Sequence, residues 1–127
     1  MPETQALSVS KGPWIPPTGT LGGLVAAAYA RAAAQGGDAS MWRDKAEAAA
    51  KVPSFRNALR RDDVAVIAEI KRRSPSKGSI NPDLDAVTQA QAYSSAGAAA
   101  LSVLTEPARF AGSTEDLSNV ATSVDVP

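Results

Sequence analysis

The sequence predicts an α/β fold in which a helical N-terminal segment leads into strands alternating with helices around a parallel sheet. Three observations predict it. Two apolar runs of strand length, Val64 to Lys71 and Ala99 to Thr105, carry the composition of buried parallel strands. A capped helix pattern lies between them, and another follows the second run. Crossovers of this order build parallel sheets with right-handed connections.

Taken in order, residues 1–19 hold Pro13, Pro16 and Pro17 with glycines and no periodicity, the pattern of an irregular leader. Thr20 suits the cap of a helix running to Gln35, which Gly36-Gly37 ends. Ser40 suits the cap of a second helix to Lys51, stopped before Pro53. Ser54 then caps a short helix, Phe55 to Arg61, with Phe55 and Leu59 one turn apart. After Asp62-Asp63 comes the first strand, followed by a Ser-, Pro- and Gly-rich loop from Arg72 to Ile80. Asn81, Pro82 and Asp83 are the residues a helix start favours, as cap, first position and dipole partner. That helix runs to Ala96, with Gly97 as its left-handed stop. A loop with Phe110 and Gly112 follows the second strand, and Ser113 with Asp116 reads as a capping box opening a helix toward Ser123. Val124 to Pro127 reads as the approach to a third strand, so the expectation is an architecture cut off before it. The expected organisation is a leader at 1–19, a helical segment at 20–61 and two β/α units at 62–127.

Composition narrows the chemistry. The 127 residues contain no Cys and no His. Thiolate nucleophiles, Ser-His-Asp triads and the usual zinc and haem ligands are therefore excluded, leaving carboxylates, lysines, tyrosines and water for acid–base work. Thirteen cations balance thirteen anions, which gives no overall attraction to nucleic acid or to an anionic membrane. The most apolar stretch, Leu21 to Ala34, is interrupted by Arg31 and falls short of the roughly 20 residues a spanning helix needs. Met1 to Lys11 lacks the apolar bulk of a secretory signal, so a cytoplasmic location is expected. The even total conceals a gradient. Seven cations and three anions lie between Phe55 and Lys77, the makings of a local site for an anionic small molecule, or simply a solvated face.

Glu69 and Lys71 are the most informative pair. Alternation puts both on one strand face, roughly 6.6 Å apart along the backbone at about 3.3 Å per residue. Ile67 continues that face, while Ala68 and Ile70 point the other way. A carboxylate and an ammonium ending an apolar strand are costly to desolvate unless paired or used. Ligands of parallel α/β folds sit at the carboxyl ends of the strands, although a purely structural pair is the plainer alternative. The loop Ser74-Pro75-Ser76-Lys77-Gly78 offers hydroxyls, backbone N–H groups and charge to a phosphate or carboxylate, without Walker spacing. Glu106, Phe110 and Gly112 leave the second strand at the same rim, where Phe110 can stack on an aromatic ligand or anchor its loop.

Together these residues resemble a known family. Val66 to Gly78, reading Val-Ile-Ala-Glu-Ile-Lys-Arg-Arg-Ser-Pro-Ser-Lys-Gly, is similar to the first barrel strand and loop of indole-3-glycerol-phosphate synthase. Gly97 to Glu106 resembles its second strand, and Phe110-Ala111-Gly112-Ser113 through Leu117 the loop and helix after it. Pro53-Ser54-Phe55 fits the short helix before the first strand, so the resemblance covers about 53–127. It implies a partial TIM (β/α)₈ barrel with extra N-terminal helices. It also implies ring-closing decarboxylation of 1-(2-carboxyphenylamino)-1-deoxyribulose 5-phosphate to indole-3-glycerol phosphate, carbon dioxide and water, in tryptophan biosynthesis. No metal or organic cofactor is implied. Glu69 matches the family's catalytic carboxylate and Lys71 the lysine that contacts the substrate's anionic groups. Ser74 matches a substrate-binding serine and Phe110 the aromatic residue near the anthranilate ring, with Glu106 and Gly112 further candidates for substrate binding. The resemblance places the family's general-acid lysine on the third strand, so negligible turnover is expected of this chain alone. The alternative is a non-catalytic half-barrel module that self-associates or is complemented through an exposed strand edge. A related phosphosugar-isomerase barrel fits less well, because Glu69 and Lys71 are followed by Ser-Pro-Ser.

Overall fold

The computed structural model describes residues 15–127, and the chain divides into two compact units between Ala48 and Ala49. Most of the expected leader, residues 1–14, lies outside the described residues, and residues 15–18 have no regular structure. In the first unit, α1 spans Gly19–Gln35 and α2 spans Ala39–Ala48. Thr20 is not the cap of α1. The Gly22 N–H donates to the Thr18 carbonyl at 3.2 Å, which closes the first turn earlier, and Thr18 sits at the cap without a side-chain bond. A Cβ on Gly22 would lie 2.4 Å from the Pro17 carbonyl oxygen, so glycine lets the entering chain lie against that turn. Nor does Ser40 cap α2. The Asp38 carboxylate accepts the Met41 N–H at 2.9 Å and the Ser40 hydroxyl at 2.6 Å, a charged acceptor prevailing over a neutral one. α2 ends short of Lys51.

The second unit starts at Ala49 and contains α3, Phe55–Ala58, where Ser54 accepts the Asn57 N–H at 3.3 Å as expected. α3 stops before Arg61, closed by a tight last turn in which the Arg60 N–H donates to the Asn57 carbonyl at 3.1 Å. The Arg61 guanidinium forks onto Asp63 at 2.7 and 2.8 Å and reaches the Gly97 carbonyl at 3.3 Å. The sheet pairs β1, Ile67–Ile70, in parallel with a strand at Ala100–Val103. Both are shorter than the apolar runs, and Val64 and Val66 are exposed. Between them the Ser-Pro-Ser segment, expected as a loop, forms an antiparallel hairpin of β2, Arg73–Ser74, and β3, Gly78–Ser79. Its turn has too little apolar content to reveal strands in the sequence. The second sheet strand is therefore β4.

The helix expected from Asn81 begins four residues later, as α4 at Ala86–Ser95. Asn81 instead accepts the Leu84 N–H at 3.3 Å in a separate turn, and Asp85 caps α4 by accepting the Thr88 N–H at 2.7 Å. The far end follows expectation. Ala98 donates to the Tyr93 carbonyl and Gly97 to that of Ser94, a Schellman closure around Gly97 at φ 92°. A four-residue helix not foreseen, α5 at Pro107–Phe110, occupies the expected loop, and α6 spans Thr114–Ser123. Ile70, Ala86, Ala90 and Val120 form the core, with Leu101 and Val103 packed on it, so α4 and α6 cover one face of the sheet. The last residues run beside β4, where Leu101 donates to the Pro127 carbonyl at 2.8 Å. Among the described residues the sheet has two paired strands and does not close into a barrel. No described helix is long and apolar enough to cross a membrane.

Candidate functional site

Strand alternation decides which β1 side chains meet solvent. Ile70 is 3% exposed against the helices, whereas Ile67 and Glu69 face the open side. The parallel register sets Glu69 opposite Ser102. Lys71 is the first residue past the strand and returns to the Glu69 side, where its ammonium ion-pairs with Glu69 Oε1. Their side chains are 45% (Glu69) and 30% (Lys71) exposed. The two groups are thus together on one face and open to a solute. A pair this exposed contributes little to stability.

Arg72 alternates to the other side and ties four segments together. Its Nε donates to the Leu84 carbonyl at 2.9 Å and its Nη1 to the Ala111 carbonyl at 3.2 Å. Its fork also grips both oxygens of Asp116, Nη1 to Oδ2 at 2.6 Å and Nη2 to Oδ1 at 3.0 Å. The Arg72 carbonyl accepts the N–H groups of Ile80 and Asn81 at 2.9 and 3.1 Å, closing the base of the hairpin. This bidentate geometry is the strong form of an ion pair. The fork holds the Asp116 carboxyl below the usual carboxylate range, burial opposes that effect, and the Ser113 hydroxyl adds to it. The Arg72 pKa is raised in turn. Asp116 therefore does not complete a capping box. Ser113 accepts the Asp116 N–H at 3.0 Å, but the Asp116 carboxylate is committed to Arg72. Alternation held the signal for the direction of Arg72, which follows Lys71 and must point toward the helix side, but not for its partner.

The remaining candidates lie on the two loops that leave β1 and β4. Ser74 is 8% exposed, and its Oγ accepts the Lys77 N–H at 3.1 Å with the Ser76 hydroxyl at 3.5 Å. Its hydroxyl shapes the hairpin turn. The Glu106 Oε2 accepts the N–H groups of Arg109 and Phe110 at 2.6 and 3.3 Å, capping α5. Phe110 closes that helix half-buried, and α5 packs on β2, which brings the two loops together. Gly112 is sterically required, because a Cβ there would sit 1.8 Å from the Leu104 carbonyl oxygen. Gly112, a candidate for substrate binding, thus lies against the residue that follows β4.

Two hollows flank this arrangement. One, of about 330 Å³, lies between the loops and is lined by Arg72, Arg73, Ser79, Pro82 and Ala111. The other, of about 360 Å³, is apolar and lined by residues including Val52, Phe55, Leu101, Val103, Leu117 and Val124. Leu101 and Val103 pair in register with Ala68 and Ile70, so this groove belongs to the helix side of the sheet, opposite Glu69.

A family model described as indole-3-glycerol phosphate synthase matches residues 25–127. The match starts within α1, well before Pro53, where the motif resemblance begins; alanine-rich helices carry no chemical motif by which a reader could find them. Similar proteins bear the same name. That from Listeria welshimeri is 54% identical over 66 residues, covering 52% of this chain and 26% of its own length. That from Exiguobacterium sibiricum is 49% identical over 83 residues, covering 65% and 32%. That from Opitutus terrae is 57% identical over 74 residues, covering 57% and 28%. The chain thus spans between a quarter and a third of the length of these curated relatives.

Proposed function

Since the chain belongs to the indole-3-glycerol phosphate synthase family, we propose that it carries the first acid–base pair and two rim loops of a ring-closing carboxy-lyase. The substrate is the phosphorylated, anthranilate-derived 1-(2-carboxyphenylamino)-1-deoxyribulose 5-phosphate. The products are indole-3-glycerol phosphate, carbon dioxide and water, and the setting is tryptophan biosynthesis in the cytoplasm. The observation that carries the reading is the ion pair of Glu69 and Lys71 on the open sheet face, beyond the packed core.

Lys71 offers a positive charge to the substrate's carboxylate or phosphate and to negative charge developing during ring closure. Glu69 accepts or returns a proton and, through its bond to Lys71, fixes where that ammonium points. The half-buried Phe110 offers an aromatic edge for the anthranilate ring. Ser74, Glu106 and Gly112 act by shaping the loops, and the Ser74 hydroxyl, which contacts that of Ser76, is the candidate donor to a substrate oxygen. The test is titration of the substrate into the chain and into its Lys71→Ala variant. Binding that Lys71→Ala abolishes supports the reading; equal binding by both, or none by either, overturns it. A two-stranded sheet leaves the pair open to water, so turnover by these 127 residues alone is expected to be negligible. A steady-state assay yielding indole-3-glycerol phosphate at an enzyme-like rate would refute that expectation.

A second reading is favoured by the apolar groove between β4, α6 and the Val52–Phe55 segment. Here the module binds a polypeptide that carries further β/α units of the family, in the same or another chain. Light scattering after size-exclusion chromatography separates the cases, since a clean, well-folded monomer counts against it.

A further inference from the structure

We infer that Arg72 is a positioning residue, whose guanidinium sets the spacing of the two rim loops by gripping Asp116, Leu84 and Ala111 at once. The inference deepens the proposed function and rests on it for the meaning of the rim, but the clamp itself is read from geometry alone. Arg72 stands between Lys71 and the hairpin that contains Ser74, so its backbone belongs to the first loop. Its side chain ends on the second, at the Ala111 carbonyl and the first turn of α6. Ala111 holds a left-handed conformation, φ 54°, and Gly112 is wedged against the Leu104 carbonyl. A non-glycine residue at positive φ is strained, and it persists only where surrounding contacts fix it. The bond from Arg72 to the Ala111 carbonyl is one such contact. The Arg72 and Asp116 side chains are only 21% and 19% exposed, so water competes weakly for the fork.

One side chain thereby couples the direction of Lys71 and the hairpin to the position of Phe110. Lysine cannot replace it. A single ammonium retains the charge but not the planar fork that serves a carboxylate and two carbonyls together.

Amide hydrogen exchange on the intact chain tests this. The reporters are Ile80 and Asn81, bonded to the Arg72 carbonyl, and Gly112, bonded to the Glu106 carbonyl. In Arg72→Lys their exchange is expected to rise together by about tenfold, the change that one lost hydrogen-bonded contact brings. Ala99 and Leu104, bonded across the sheet, are expected to stay protected. In Arg72→Ala, added methylguanidinium should restore all three reporters, whereas an alkylammonium should not; should Arg72→Ala fail to fold, Arg72→Lys alone decides. Loss confined to one loop, loss spread through the sheet, no loss, or equal rescue by both cations would overturn the clamp. Substrate titration of Arg72→Lys gives the link to function, with binding expected to weaken while Glu69 and Lys71 are unchanged. Failure of the wild-type chain to bind substrate would refute the function while the exchange pattern still judged the clamp.

Discussion

Gly112 and Asp116 are held by different physics, and substitutions separate them. At Gly112 the constraint is space, because a methyl group would overlap the backbone of Leu104, and backbone cannot rotate away as a side chain can. Gly112→Ala is expected to destabilise the second unit by roughly 1–3 kcal/mol, the usual effect of overpacking, read as a lower urea midpoint at unchanged m-value. At Asp116 the constraint is charge. Its folded pKa lies below its ordinary value of 3.8, so the unfolded chain binds the proton more readily. The stabilisation is therefore complete above that ordinary, unfolded value and fades as pH falls through the lower folded one. Asp85 stands near this pair; its carboxyl is also depressed, mainly by its bond with Thr88, so part of the acid sensitivity belongs to it. Asp116→Asn is expected to cost roughly 1.5–3 kcal/mol near neutrality, in the range of a hydrogen bond to a charged group. The variant should also lose stability less steeply than the native chain as the pH falls below about 4. Parallel stability curves for the two proteins would show that Asp116 is not the titrating group.

Helix α4 shows which features of an element can be read from its letters. Its end was legible, since Gly97 supplies the left-handed residue a Schellman closure requires and no neighbour competes for it. Its start was not. Asn81-Pro82-Asp83 has every local mark of a helix start, but the Leu84 carbonyl accepts from Arg72, which is twelve residues away in sequence. The hairpin of β2 and β3 and the helix α5 escaped for a related reason. Both are too short for periodicity to register, and contacts with each other's loop define them. The shared face of Glu69 and Lys71 needed only strand alternation and was legible; the Arg72 fork joins residues 44 positions apart and was not. The two ends of α4 should differ in consequence. Asp85→Ala removes the cap of α4 and is expected to lower the melting temperature, and Gly97→Ala forces a Cβ into a left-handed backbone at about 1–2 kcal/mol. Thermal melts of both variants test this, and a Gly97→Ala protein as stable as the parent would refute the strain assigned to that position.

At the scale of the second unit the helices pack on one side of the sheet. Glu69 and the 48% exposed Ile67 lie on its open face, while behind it the apolar groove leaves Phe55 and Leu117 51% and 46% exposed. An unpaired strand edge beside apolar surface is a template for association. Two faces are available, and they predict different chemistry. Binding across the open face would cover Glu69 and Lys71, whereas binding in the groove would leave them accessible to an anion. Leu117→Lys places a charge in the groove far from the ion pair, and Ile67→Lys places one two residues from Glu69 on its own face. If the groove drives association, Leu117→Lys should shift the chain toward monomer in light scattering while leaving circular dichroism and substrate binding unchanged. If the open face drives it, Ile67→Lys should do so, and added substrate should compete with association in the parent chain. The groove draws on Leu101, Val103, Leu117 and Val124 at once, so Leu117→Lys is expected to have the greater effect. A chain that stays equally associated with both lysines in place would exclude apolar burial on either face as the driving force.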